Sequence, residues 1–226
     1  MIESGVWAIF GPQSPSVSWT IRSIASNLHI PHLQVNWDYR SVRRHQTYPS
    51  NMTVNLHPEP SAFSQAFMDL VESRKWKSFT LIYEENDGLI KLKDLLRVPA
   101  LRREEDDIVK ISVRQHNPNT HSYKKLFKDI TKRAETNIVL SIPVYKVHET
   151  LRQAQEVGMM TDYHNYLIAN LDIHTMDLVD FQYSHTNISG LTMLDPKGQE
   201  MGYFAREWIY GRSHHTTKKS LNVSDI

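Results

Sequence analysis

The run "GPQSPS" places Gln13, Ser14 and Ser16 between an apolar segment, "VWAIF", and a helical pattern. Hydroxyls and amides at such a junction serve one of two ends. They line a binding cleft as hydrogen-bond donors, or they punctuate the chain, Ser14 capping a helix whose first residue is Pro15. Covalent chemistry has less to draw on. There is no G-x-S-x-G elbow, no G-x-x-x-x-G-K-[ST] phosphate loop and no H-E-x-x-H, and "HETLR" from His148 keeps only the first two letters of the zinc motif. The 226 residues include no cysteine, so a disulfide framework, a thiolate metal site and a cysteine nucleophile are excluded. The neighbours His214 and His215 cannot fill a tetrahedral site and are expected in an exposed tail. No cofactor and no metal is expected. A triad built from distant Ser, His and Asp remains open, as in a flavodoxin-like enzyme.

The elements that must position these residues alternate between strand and helix. "VWAIF", "HLQVNW", "MTVNL", "FTLIY", "IVKISV", "IVLSI", "YLIANL" and "ISGLTML" read as strands. Between them run helical stripes: Val17, Ile21, Ile24 and Leu28; Phe63, Phe67, Leu70 and Val71; Tyr123, Leu126, Phe127 and Ile130; Val147, Leu151, Ala154 and Val157; and finally Met201, Phe204, Ala205 and Trp208. Each stripe is expected to face a core. Asn86-Asp87-Gly88 reads as a turn. Continuous apolar strands between amphipathic helices predict an α/β fold, with mostly parallel sheets covered on both faces. The charged insert "RREEDD" and the stretch from Asp38 to Pro49 read as loops.

Composition narrows the function. The net charge is +1, with 40% hydrophobic and 23% charged residues. No strong field points to nucleic acid, and the basic runs "SVRRH" and "YKKLFKDITKR" read as solvated faces. No apolar run reaches the ~20 residues that span a bilayer, and no leader-like start is visible. Three N-x-[ST] acceptors, at Asn51, Asn187 and Asn222, lean toward an extracellular address.

Taken in order, "GVWAIFGPQSPS", "SIASNLHIPHLQVNW", "FMDLVESRKWKSFTLIYEENDGLIKLKDLL", "LRQAQEVGMMTDYHNYLIANLD" and "NISGLTML" resemble the amino-terminal domain of kainate-type ionotropic glutamate receptors. The resemblance runs from Gly5 to about Trp208. It implies a bilobed type I periplasmic-binding-protein-like fold, with two doubly wound lobes around a cleft. Lobe one would take residues 1–76 and lobe two 77–194, with 195–226 a return segment to lobe one and a polar tail. It also implies that further lobe-one elements lie before Gly5 and beyond Ile226, so that lobe one is incomplete here, and that a channel and a glutamate-binding core lie downstream. Where Ala25 stands the family usually has a disulfide-bonded cysteine, which this chain lacks.

For function, the resemblance implies an extracellular, noncatalytic domain at the synaptic plasma membrane. Its partners would be homologous receptor subunits, in homo- or hetero-oligomers, and its work assembly with modulation through the cleft. No nucleic acid is expected, and a membrane is met only through segments outside this chain. The alternative is an amino-acid receptor with an occupied cleft. In related bilobed binders the serine-rich turn holds an amino-acid carboxylate, because free N–H groups at a helix start attract anions. That places Gln13, Ser14 and Ser16 in the cleft with Asn36. Asp87, Tyr145 and Asp172 follow strand ends in the other lobe, and Asp172 would pair with a ligand amine. For assembly, the core stripe leaves Trp19 opposite it with Ser23 and Ser26, a surface suited to contact with another subunit.

Overall fold

Two helices here begin at prolines, and several end on left-handed residues. The computed structural model describes residues 5–12, 14–35, 37, 52–97, 109–195 and 197–213. Helix α1 (Pro15–Asn27) starts with Pro15 after Ser14 at the cap position, and α2 (Pro60–Ser73) starts with Pro60. Proline suits the first helical residue because its missing N–H has no intrahelical partner there. His29, Lys75 and Ala134 take φ values of 54°, 53° and 54° after α1, α2 and α4 (Lys124–Thr131). Gly158, at φ 77°, ends α5 (Val144–Glu156) in the same way, with the Met159 N–H reaching back to Ala154 O at 2.9 Å. The last carbonyls of these helices thereby find donors.

Two compact units form, residues 1–120 and 121–226. The first unit holds a parallel sheet of three short strands in the order β1 (Ile9–Phe10), β2 (His32–Gln34), β3 (Thr53–Asn55). Its two faces differ. His32 and Gln34 are buried on one side. Gly11's carbonyl can only accept, so His32 donates to it from Nε2, and Nδ1 accepts from the Thr53 hydroxyl at 3.1 Å. On the other side Phe10, Leu33 and Val54 stand in register, and Phe10, Val35, Val54 and Leu56 are exposed. The expectation of a sheet covered on both faces is therefore not met by the described residues here.

In the same unit β4 (Ser78–Tyr83) pairs parallel with β5 (Lys110–Gln115). Phe79, Thr80, Leu81 and Ile82 are all buried, as a parallel strand sandwiched between layers should be. Helix α2 buries Phe63, Phe67 and Val71 along the expected stripe, with Leu70 half-buried. Each such side chain is worth ~1.5–3 kcal/mol of burial. Buried Ser64 on α2 accepts the Asp94 N–H at 2.8 Å, anchoring the approach to the 3₁₀ turn Leu95–Arg97. Asn86-Asp87-Gly88 is not a free turn: it forms the first residues of a short helix, α3 (Asn86–Lys91).

In the second unit β6 (Asn137–Ser141), β7 (Asn165–Ile168) and β8 (Asn187–Gly190) run parallel in that order. Ile138, Val139, Leu140, Tyr166, Leu167 and Ile168 form the core. Helix α4 contributes Phe127 and Ile130, and α5 contributes Val147, Leu151 and Ala154, with Val157 half-buried. The closing helix α6 (Gln199–Ser213) departs from expectation: of its stripe only Ala205 is buried, while Phe204 and Trp208 stack on each other at 6.0 Å and stay exposed.

Candidate functional site

Parallel strands bring their carboxyl ends to one edge, and side chains that follow those ends share it. In the three-stranded sheet the edge holds Ser14 after β1, Trp37 after β2 and His57 after β3. Ser14 is exposed and occupies the cap position, yet its hydroxyl makes no capping hydrogen bond; its carbonyl accepts the Val17 and Ser18 N–H groups at 3.3 and 3.2 Å instead. Gln13 and Asn36 lie outside the described residues, as does the side chain of Ser16.

Sequence reasoning missed an aromatic cluster beside this edge. Trp37 meets His57 edge-on at 5.7 Å and Phe63 at 5.8 Å, and Phe63 meets Phe67 at 4.8 Å. The Lys91 ammonium, at the end of α3, lies 5.5 Å from the Trp37 ring, within cation–π range. The Trp37 indole Nε1 is buried with no hydrogen-bond partner among the described residues. The sequence pattern places Trp37 inside the strand "HLQVNW", whereas β2 ends at Gln34 and Trp37 stands three residues beyond it. Asp87 is half-buried in the first turn of α3, where a carboxylate complements the helix dipole.

The matching edge of the second unit holds Tyr145 after β6 and Asp172 after β7. Tyr145 opens α5 and is 80% exposed, with the Lys146 ammonium 6.0 Å from its ring. Asp172 is exposed. Its backbone is fixed by its N–H donating to Asn170 Oδ1 at 2.9 Å and by a bridge to Thr192, while its carbonyl accepts the Thr175 hydroxyl at 2.7 Å. The Asp172 carboxylate itself has no partner among the described residues. Both residues follow strand ends of the second unit and are exposed to solvent.

Groups with displaced proton affinities lie elsewhere. Hydrogen bonds from Arg152 and then Gln153 hold the Glu149 carboxylate below its ordinary range. Burial pushes the Tyr166 phenol up, its hydroxyl donating to Met159 O at 2.8 Å. Burial lowers His164, against Asp162. Among the described residues no group of acidic, histidine or cysteine side chains is placed to hold a metal, and no helix is long and apolar enough to cross a membrane.

The outer surface of α1 is the other candidate, and here the sequence reading is corrected. The stripe expected inside faces out: Val17 is 46% exposed, Ile24 37% and Leu28 45%, with Ile21 half-buried. The buried residues of α1 are Ser18 and Ala25, where small side chains let the helix approach β3 closely. Trp19 is 51% exposed as expected, with Ser23 exposed and Ser26 half-buried. Apolar side chains thus lie on the exposed surface of α1 along with Trp19. Asn187 is exposed at the start of β8, while Asn51 and Asn222 lie outside the described residues.

Comparison with known proteins follows the same lines. Residues 1–224 match the family described as "Receptor family ligand binding region". The chain is 32% identical over 221 residues to the rat protein "Glutamate receptor ionotropic, kainate 1", covering 98% of this chain and 22% of that one. The mouse and human proteins of the same name are each 31% identical over 98% of this chain, which covers 25% and 23% of them. The chain therefore spans about a quarter of the length of the curated relatives it matches.

Proposed function

The chain belongs to the receptor family of ligand-binding regions, and from that premise we propose that it is the extracellular amino-terminal domain of a kainate-type glutamate-receptor-like ion channel, pairing receptor subunits rather than catalysing a reaction. The observation that carries this reading is the outer surface of α1. A 13-residue helix exposes Val17, Trp19, Ile24 and Leu28. Such a surface is costly in water and suits a contact: Val17, Ile24 and Leu28 form an aliphatic stripe along one side, and Trp19 stands on the opposite side. Homologous subunits are the natural partner, since the relatives are named as ionotropic glutamate receptors. The domain boundaries 1–76, 77–194 and 195–226 are proposed on the same footing, as is residence at the synaptic plasma membrane.

The test is co-purification of two differently tagged copies of the full-length protein. Trp19→Ala and Ile24→Arg should each reduce recovery of the second tag without lowering surface expression. Undiminished recovery with both variants would overturn the reading. A second reading, an amino-acid ligand held at the strand ends, rests on the exposed carboxylate of Asp172, which has no partner among the described residues. Calorimetry against a panel of amino acids separates the two. The pairing reading expects no heat with glutamate, and the ligand reading expects binding that Asp172→Ala weakens more than tenfold, one charged hydrogen bond being worth ~1.5–3 kcal/mol.

A further inference from the structure

We propose that the exposed side of α4 is a docking surface for a sulfated linear polysaccharide of the extracellular space, gripped by Lys125, Lys128 and Lys132. The inference rests on the extracellular reading above and adds a partner to it. In sequence the run "YKKLFKDITKR" reads as a solvated face. The structure sorts its residues. Phe127 and Ile130 are buried and fix the inner side of α4. Lys125, Lys128 and Lys132 are all exposed, and helical geometry puts them within about 60° of one another around the axis. They span about 10 Å along it.

A solvated helix face ordinarily mixes signs, so that neighbouring charges attract. This one repeats one sign. Lys124 and Lys128, and Lys128 and Lys132, stand four residues apart, Lys125 and Lys128 three, and like charges so placed repel. No acidic residue lies in the first turn of α4, where a carboxylate would suit the helix dipole; Lys124 and Lys125 stand there instead. Lys124 is offset by Glu156 of α5, Nζ to Oε2 at 2.6 Å. Lys132 meets Asp129 at 3.6 Å with both side chains more than half exposed, a contact that another anion can displace. Lys125 and Lys128 have no ion-pair partner among the described residues. Arg133, just past the helix, is exposed and likewise unpaired among them.

The unit itself gains little from this row, and the row suits a polymer with closely repeated anions. Lysine ammoniums are compact, strongly hydrated point charges, so they hold sulfate groups without a shaped pocket. A chain laid along the helix meets the three lysines in succession and sheds the counterions condensed on it, a gain that a single small anion does not offer. Basic patches of this kind serve nucleic acids or heparin-like chains, and the extracellular reading selects the second.

The experiment passes the purified full-length protein over immobilised heparin at several salt concentrations. Three contacts predict a loss of affinity of roughly 20- to 40-fold between about 50 and 200 mM salt, taking a slope of ~0.7–0.9 per contact from nucleic-acid polyanions. Lys125→Glu, Lys128→Glu and Lys132→Glu together should weaken binding by about tenfold or more. Lys125→Arg, Lys128→Arg and Lys132→Arg together should keep it. The same three positions changed to glutamine should weaken binding in the same direction, which keeps the test open if charge reversal impairs folding. Lys75→Glu, Lys77→Glu and Lys197→Glu, at exposed lysines elsewhere, make the same change of net charge and should leave binding nearly unchanged. Chemically desulfated heparin should not bind. Full binding by both the glutamate and the glutamine α4 variants, equal weakening by the control variant, or competition by polyglutamate as strong as by free heparin would overturn the proposal. Antibody access to a tag beside this domain on intact cells reports the extracellular reading separately. A reachable tag without α4-dependent binding overturns this proposal alone, and an unreachable tag overturns that reading and the choice of polysaccharide with it.

Discussion

Trp19→Ala separates a contact surface from a structural one. Trp19 is 51% exposed on α1. An aromatic side chain of this size buries up to ~250 Å² when fully covered, so about 125 Å² remains for a partner to cover. At ~25 cal/mol per Å² that is roughly 3 kcal/mol for each tryptophan. A two-fold contact uses the residue twice, while interfaces return less than the area rate because association costs entropy. A net weakening of about 2–3 kcal/mol follows, or roughly 30- to 150-fold in the dissociation constant. The assay is fluorescence-detected sedimentation of the full-length protein across a dilution series, with urea unfolding beside it. The dimer should dissociate at correspondingly higher concentration, and the unfolding midpoint should barely move. Ser23→Ala, on the same helix, should change association less than threefold. If Trp19→Ala leaves association unchanged, or shifts the unfolding midpoint as far as a core truncation would, the tryptophan is packing and the argument fails.

Three further outcomes test the packing and electrostatics. Gln153 is buried on α5 and ties down the segment before α4, its Oε1 accepting the Tyr123 N–H at 2.6 Å and its Nε2 donating to His121 O at 2.8 Å. Gln153→Ala should cost ~1–3 kcal/mol in urea unfolding, because both groups lose the partner this side chain supplied. Burial holds His164 below its ordinary value of 6.5; the unfolded chain therefore takes up a proton first as pH falls, so this contribution is full above 6.5 and is lost below it. His164→Gln should flatten the stability profile between about pH 7.5 and pH 5.5, as the linkage relation requires, and an unchanged slope would refute it. Ala134, at φ 54° after α4, bears the left-handed strain of ~1–2 kcal/mol that glycine escapes. Ala134→Gly should raise stability by about 0.5–1 kcal/mol after the added freedom of the unfolded chain is counted.

Strand-rich stretches were legible because a strand buried on both faces leaves a compositional mark. "FTLIY" and "IVLSI" each carry a single hydroxyl residue among apolar ones, and they mark β4 and, up to Ser141, β6. Proline at Pro15 and Pro60 marked two helix starts for an equally local reason. The Phe63–Phe67–Val71 stripe was legible because α2 buries the same positions that its spacing puts on one side. Asp87 was misplaced as a turn residue because Asn-Asp-Gly favours turns when taken alone, while the contacts of α3 with α2 and β4 are not local and leave no mark in three letters. The Trp37–His57–Lys91 cluster joins residues from three separate segments. No spacing rule reaches that far.

Helix α1 shows why periodicity alone cannot settle which side of a helix is the inside. Spacing reports that Val17, Ile21, Ile24 and Leu28 lie along one side; it does not report what that side meets. The face turned inward is chosen by how closely a helix must approach its sheet, and here the positions against the sheet are Ser18 and Ala25, the smallest available. A small inner face with a large apolar outer face is the pattern expected of a helix that packs twice, once within its own unit and once against a partner. A helix that packed only once would have its large residues where Ser18 and Ala25 stand and polar groups where Val17, Ile24 and Leu28 stand. The misassignment of the core side comes from a single property of this helix: its apolar stripe stands away from Ser18 and Ala25, the positions that this chain buries.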